Sequence, residues 1–370
     1  MLRTPRTAAA LKYLTLVLFG ATCGLVAVEI GLRTAAPGLW KDNLTFATNE
    51  WLTYHPILGW MNKAGYATAD FRINQLRLRG EEAAATKPPG TLRIVCLGDS
   101  RTFGVWLDRG RFRFNNDYPA ALAQRLRQNP AGMPVEVLNA GVIGYNSGSG
   151  LRQLRMQLLA LHPDIITVAF GLNDHLLAWS PALRAAEPRN PLLRELFYQV
   201  DDLHAFQLGL SLYQAASRFH PHALSVHWVE PDDYAYNLRR FAAVARRYGI
   251  HLLFVTQALR PLEMGDSQPA FPGFVGKPDS LYLSFGARDL AEVHRVDDEY
   301  TGILRRVAQE ESVPVADAAA AFTAHQGAPL FGPYDFVHCN PAGARVVART
   351  IYDKLLELGW LPPAGLPAAR

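Results

Sequence analysis

Arg93-Ile94-Val95-Cys96-Leu97-Gly98-Asp99-Ser100-Arg101-Thr102-Phe103-Gly104 is the run on which the fold turns. Five mostly apolar residues, two of them β-branched, lead into Gly98-Asp99-Ser100 and then into a turn containing Gly104. That pattern predicts a buried strand ending in a tight loop. Open α/β sheets place their ligands beyond the carboxyl ends of the strands, which is where Ser100 falls. A serine hydroxyl is a poor nucleophile until a base takes its proton and a third group orients that base. Taken alone, Gly-Asp-Ser is an ordinary turn sequence. A second copy, Gly265-Asp266-Ser267, has no strand before it and reads as loop. The rest of the chain must therefore supply the partners.

Working outward, strands and helices alternate. Tyr118 to Leu126 has apolar residues at helical spacing, and Val135 to Gly141 reads as a second strand. Leu151 to Leu161 reads as helix, Asp164 to Phe170 as strand, Asp232 to Tyr248 as a helix closed by Gly249. His251 to Thr256 and Val313 to Asp317 are the fourth and fifth strands. Helices at Asp289 to Glu311 and Ala342 to Leu358 complete the series, and residues 259–286 are a Pro/Gly-rich loop. Alternation of this kind implies an α/β fold, a mostly parallel sheet of about five strands covered on both faces.

Three strand ends carry polar loops: Ser100, Gly144 with Asn146, and Asn173 with Asp174. Acyl transfer needs donors aimed at a developing oxyanion, commonly backbone N–H groups and an Asn side chain. After the last strand, Asp335 and His338 stand three residues apart, just ahead of a helix. That spacing lets one loop present an imidazole to a serine while the carboxylate holds the ring from behind. His175 follows Asn173-Asp174 and either lines a pocket or lies on the surface.

Four blocks in this order resemble the SGNH/GDSL hydrolase family. They are Gly98-Asp99-Ser100, Asn139-Ala140-Gly141-Val142-Ile143-Gly144, Gly171-Leu172-Asn173-Asp174 and Asp335-Phe336-Val337-His338. The resemblance implies a three-layer αβα sandwich of flavodoxin-like type and a serine hydrolase that needs no cofactor and no metal. It implies Ser100 as nucleophile, His338 as base and Asp335 as its orienter. Ser100 N–H, Gly144 N–H and the Asn173 side chain would form the oxyanion hole. Arg101, Asp174 and His175 are further candidates for substrate contact. Two positions depart from the family pattern. Arg101 stands where a Leu commonly follows the serine, and Cys339 where a Pro often follows the histidine.

The N-terminus predicts a membrane anchor. Arg3, Arg6 and Lys12 precede the apolar run from Tyr13 to Val28, and Ile30 and Leu32 extend it. Thr34-Ala35-Ala36 is followed by Pro37, so no good cleavage site ends the run. The expectation is an uncleaved signal-anchor at residues 1–33, a juxtamembrane extension and linker at 34–90, and a hydrolase domain at 91–362 with a helical insertion at 176–228. A buried helix of a soluble protein is the alternative for the first segment. The anchor, the Leu58-Gly59-Trp60 stretch and the Asp232–Tyr248 helix also look like membrane-tethered bacterial members of the family.

Composition limits the remaining choices. Apolar residues make up 49% and charged residues 19%, which excludes global disorder. A formal charge of +4 over 370 residues, without a basic run, gives no nucleic-acid surface. Three cysteines, Cys23, Cys96 and Cys339, do not make a disulfide framework, and no CxxC or HExxH metal motif is present. The expected activity is an extracytoplasmic serine esterase acting on acylated small molecules or polysaccharide, with short-chain esters such as acetyl as the expected group. An O-acyltransferase using the same acyl-enzyme, a lipid-cleaving enzyme, and a non-catalytic envelope binding protein are the alternatives.

Overall fold

The computed structural model describes residues 5–35, 50–55, 58–108, 111–128, 133–176, 227–262, 287–327, 329–332 and 335–361, with Leu193, Ala205 and Leu208 besides. The chain divides into two compact units: Met1–Trp60 with Ala182–Leu224, and Met61–Pro181 with Ser225–Arg370.

The first unit contains helix α1, Pro5–Ala35. Its stretch Lys12–Thr34 is 23 residues long and apolar enough to cross a membrane or to serve as a signal sequence. At 1.5 Å per residue it spans about 35 Å, against about 30 Å of hydrocarbon in a bilayer. Tyr13, Phe19 and Leu25 along it are 63–70% exposed, an apolar surface that water does not favour. Strands β1, Leu52–His55, and β2, Gly59–Asn62, pair as a short ribbon.

The second unit is built on five strands. In chain order they are β3 (Leu92–Gly98), β6 (Val135–Gly141), β7 (Ile165–Ala169), β8 (His251–Val255) and β9 (Val315–Ala316). A separate antiparallel ribbon joins β4, Trp106–Asp108, to β5, Arg111–Arg113. The sheet order is β6-β3-β7-β8-β9, and every neighbouring pair is parallel. Counted along the chain this is 2-1-3-4-5, the flavodoxin-like order, with its reversal at β3. In the registers, Gly98 pairs with both Gly141 and Ala169, so three neighbouring strands end at one level. The loops bearing Ser100, Gly144 and Asn173 leave from that level.

Helices cover both faces. On one side α3, Tyr118–Gln128, and the closing helix α8, Pro341–Glu357, pack Leu122, Leu126, Ile351 and Leu355 against Ile94, Cys96 and Leu253. The other helices are α4 (Ser147–Gln153), α5 (Pro231–Tyr248) and α6 (Leu290–Glu310). Phe170 at the end of β7 stacks on Phe241 of α5, with ring centroids 6.2 Å apart. Every residue of β7 is buried, as a strand covered on both faces requires.

Three local features go beyond what the hydrophobic pattern predicts. The helix expected to start at Leu151 starts at Ser147, because Asn146 caps it by accepting from Ser149 N–H at 3.0 Å. Its small residues carry no apolar signal. Gly150 is where a Cβ would meet the Phe170 ring at 2.2 Å. The helix then runs on as a π-turn, Leu154–Leu158, and a 3-10 turn, Leu159–Leu161. The stretch ahead of β3 packs on the sheet unit. Ile73 and Leu78 are buried, and Arg79 N–H donates to Asn139 O at 3.0 Å, so residues 61–90 belong to the second unit. A short helix absent from the periodicity, α7 (Ala318–Thr323), is started by the Asp317 side chain accepting from Ala320 N–H. Most of the expected 176–228 insertion, of residues 34–49 and of the 259–286 loop lies outside the described residues.

Candidate active site

Ser100 opens a four-residue helix, α2 (Ser100–Phe103), directly after β3. Asp99 caps that helix: its Oδ1 accepts from Arg101 N–H at 2.9 Å. The helix passes close over the end of β6, and a Cβ on Gly141 would lie 2.2 Å from Phe103 N. Only glycine permits that approach. Asn139, in the same strand, donates from Nδ2 to Thr102 O at 2.8 Å and accepts Gly141 N–H at 2.9 Å. Arg79 holds the far end of the turn, donating to Phe103 O and, at 2.9 Å, to Gly104 O. Its guanidinium pairs with Asp117 at 3.3 Å. Burial pushes Arg79 below and Asp117 above their ordinary ranges, and each charge offsets part of the other's shift.

His338 arrives from the loop before α8. Its Nε2 lies 2.8 Å from Ser100 Oγ, and its Nδ1 lies 3.0 Å from Asp335 Oδ2 and 3.3 Å from Oδ1. The three side chains form one continuous relay. Asp335 is wholly buried and accepts four donors: the His338 ring, Val337 N–H at 2.9 Å, His338 N–H at 2.8 Å and Leu107 N–H at 3.0 Å. Burial alone would raise its carboxyl. The His338 charge and these hydrogen bonds outweigh burial and hold it below the usual carboxylate range. Asp335 therefore stays ionised beside the imidazole. The Leu107 contact ties the ribbon strand β4 to the relay.

The other two loops leave the same sheet edge as Ser100. Ser100 N–H heads α2, where the first N–H groups have no intrahelical acceptor. Gly144 sits at φ 81°, a left-handed conformation that favours glycine. Asn173 donates from Nδ2 to Tyr145 O at 2.8 Å, which fixes the amide plane and leaves its second N–H for another acceptor. Sequence reasoning therefore names the residues of three converging loops, and the structure brings those loops to one sheet edge.

Asp174 and His175, expected at the substrate, lie in the interior. Both side chains are fully buried. Asp174 accepts from Ser147 N–H at 3.0 Å and from the Ser147 hydroxyl, while Asn237 Nδ2 donates to that hydroxyl at 2.9 Å. Burial raises the Asp174 carboxyl to about 7, against the lowering effect of the Ser147 bonds. His175 Nε2 stands 3.2 Å from Asp297 Oδ1, and its ring packs 5.3 Å from Tyr300. These residues stabilise the loops from behind. Arg101 is also buried, and its Nη1 donates to Ala258 O at 3.1 Å, so its guanidinium turns toward the segment after β8. Cys96 and Cys339 are free thiols, each pushed up to about 12 by burial.

Sequence reasoning missed Gln257. It follows β8 by two residues, the same strand-end position that singled out the other loops. Leu107 was missed for a different reason: its contribution is a backbone N–H, which side-chain identity does not reveal.

The profile of the GDSL-like lipase/acylhydrolase family matches residues 96–346, and the chain belongs to that family. Its class is thus serine hydrolase on an SGNH-type α/β fold. Similar solved structures include a lipase/acylhydrolase from Enterococcus faecalis, 18% identical with TM-score 0.45, covering 74% of this chain and 100% of that one. An α/β hydrolase from the metagenome of Lake Arreo, Spain, is 18% identical with TM-score 0.44, covering 73% and 96%. An acetylxylan esterase from Geobacillus stearothermophilus is 18% identical with TM-score 0.42, covering 72% and 94%. No curated protein matches the chain.

Proposed function

We propose that this protein is a serine esterase whose hydrolase unit works outside the cytoplasm, tethered by α1. The observation that carries the chemistry is the relay of 2.8 Å from Ser100 Oγ to His338 Nε2 and 3.0 Å from His338 Nδ1 to Asp335. Ser100 Oγ attacks the acyl carbonyl while His338 Nε2 takes its proton. Asp335 holds the ring and stabilises the imidazolium that forms. Ser100 N–H, Gly144 N–H and the free Asn173 N–H receive the oxyanion. His338 then protonates the departing alcohol, and water cleaves the acyl-enzyme by the reverse proton path.

The tether argues for a substrate near the membrane face. Arg3, Arg6 and Lys12 ahead of the apolar run favour an inside N-terminus, which puts the hydrolase unit on the outer side. A short acyl ester on an envelope or exported polysaccharide fits that position.

The test uses the full chain in detergent with an alkyl fluorophosphonate and p-nitrophenyl acetate. Covalent labelling at Ser100, ester turnover, and loss of both in Ser100→Ala are expected. The drop in turnover should reach about 10³-fold or more. A folded wild-type protein that neither labels nor turns over would sink the reading. Product transfer to an added oligosaccharide, in place of release to water, would convert the esterase into an acyltransferase. Release of the protein from membranes by alkaline carbonate would remove the tether from the proposal.

A further inference from the structure

Gln257 is a buried amide at the carboxyl end of the sheet, with every polar atom of its side chain engaged. Its Nε2 donates to Asp99 Oδ2 at 3.0 Å and to Ala169 O at 3.1 Å. Its Oε1 accepts Leu172 N–H at 3.2 Å. Asp99 and Ala169 offer only acceptors and Leu172 offers only a donor, so one orientation of the amide satisfies all three. Asp99 caps the helix that begins with Ser100, and Leu172 directly precedes Asn173. One side chain thus ties the Ser100 turn to the Asn173 loop.

We infer that Gln257 is a positioning residue that sets the distance between the Ser100 N–H and the Asn173 amide, and so the shape of the oxyanion site. The inference rests on the esterase reading above. It follows from how the two loops are held. β3 and β7 are hydrogen-bonded neighbours only as far as Gly98 and Ala169. Beyond that level the strands no longer set the separation of the loops they carry. The Gln257 amide bridges the gap, just as the Asp174 carboxylate bridges the Gly144 and Asn173 loops through Ser147. Oxyanion donors act only within a narrow range of distance to the developing charge. A shift of the Asn173 loop of even about 1 Å would lower turnover by up to about 10²-fold without changing how the ester enters the site.

Gln257→Met keeps the volume and removes all three bonds. Gln257→Glu keeps the acceptor for Leu172 N–H but sets a second carboxylate against Asp99. Both are assayed with p-nitrophenyl acetate and with phenylboronic acid, which forms a tetrahedral adduct on a reactive serine, and their folding is checked by thermal melting. In folded variants kcat should fall about 10- to 100-fold at nearly constant KM, and the boronic acid should bind weaker by a similar factor. In an Asn173→Ala background the same changes should cost only about threefold, because the donor they position is gone. Wild-type kcat in a folded variant, a rise in KM alone, or an undiminished loss in the Asn173→Ala background overturns the inference. Failure of both variants to fold overturns it too, assigning Gln257 to stability. Fluorophosphonate labelling of wild-type Ser100 is read separately, so failure of the esterase reading is distinct from failure of this one.

Discussion

Asp335 and Asp174 are both fully buried carboxyls, yet their acidities are driven in opposite directions. Asp335 faces an imidazole and three backbone N–H groups, and these hold it ionised against the cost of burial. Asp174 faces the Ser147 N–H and a neutral hydroxyl, and burial dominates. A carboxylate meant to steady an imidazolium needs the first environment. Asn173 has one N–H fixed on Tyr145 O, and the proposed function gives the other to the oxyanion. Asn173→Ala should therefore lower kcat with p-nitrophenyl acetate by about 10²–10³-fold while KM and thermal melting change little. An unfolded variant, or one that turns over normally, would remove Asn173 from the oxyanion assignment.

At the scale of elements, the decisive contact is between α2 and the end of β6. Gly141 lets the α2 backbone pass at a distance no Cβ tolerates, and Asn139 ties the same strand to Thr102 O. Gly141→Ala should push α2 away from the sheet. Overpacking of this kind typically costs about 1–3 kcal/mol, measured by urea unfolding. Because α2 begins with Ser100, kcat should fall further than the loss of stability accounts for. A variant with reduced stability and full turnover would show that the close approach serves packing only. The two-stranded ribbon Trp106–Asp108 with Arg111–Arg113 works at this scale as well, since it delivers Leu107 N–H to Asp335.

At the scale of the molecule, the flavodoxin-like strand order places its reversal at β3, so the Ser100 turn lies between the loops of β6 and β7. The two carboxyls also leave a signature in overall stability. Asp335 lies below its unfolded range, so it contributes stability above the ordinary carboxylate pKa that is lost as pH falls through its lowered value. Asp174 lies above its unfolded range. Its contribution is fully present below the ordinary carboxylate pKa and is lost as pH rises through about 7. Asp174→Asn keeps an acceptor for Ser147 and cannot ionise. Its melting temperature relative to wild type should therefore rise between pH 5 and pH 8. A difference that is flat across that range would mean Asp174 is not the group titrating there.

The sequence by itself determined the strand–helix alternation, the parallel sheet, the apolar N-terminal helix and the four polar blocks at strand ends. These are local signals: hydrophobic period, glycine turns and side-chain identity within a few residues. Ser100, His338 and Asp335 were legible because the two blocks that hold them are each contiguous. Only the tertiary structure decided which neighbours were buried supports. Asp174 and His175 sit beside Asn173 in sequence, but their partners, Ser147 and Asp297, come from distant segments. Gln257, Arg79 and Leu107 touch the Ser100 turn or Asp335 across separations no local pattern encodes. Burial and hydrogen-bond satisfaction are properties of the folded whole, so these roles appear only once the chain has closed on itself.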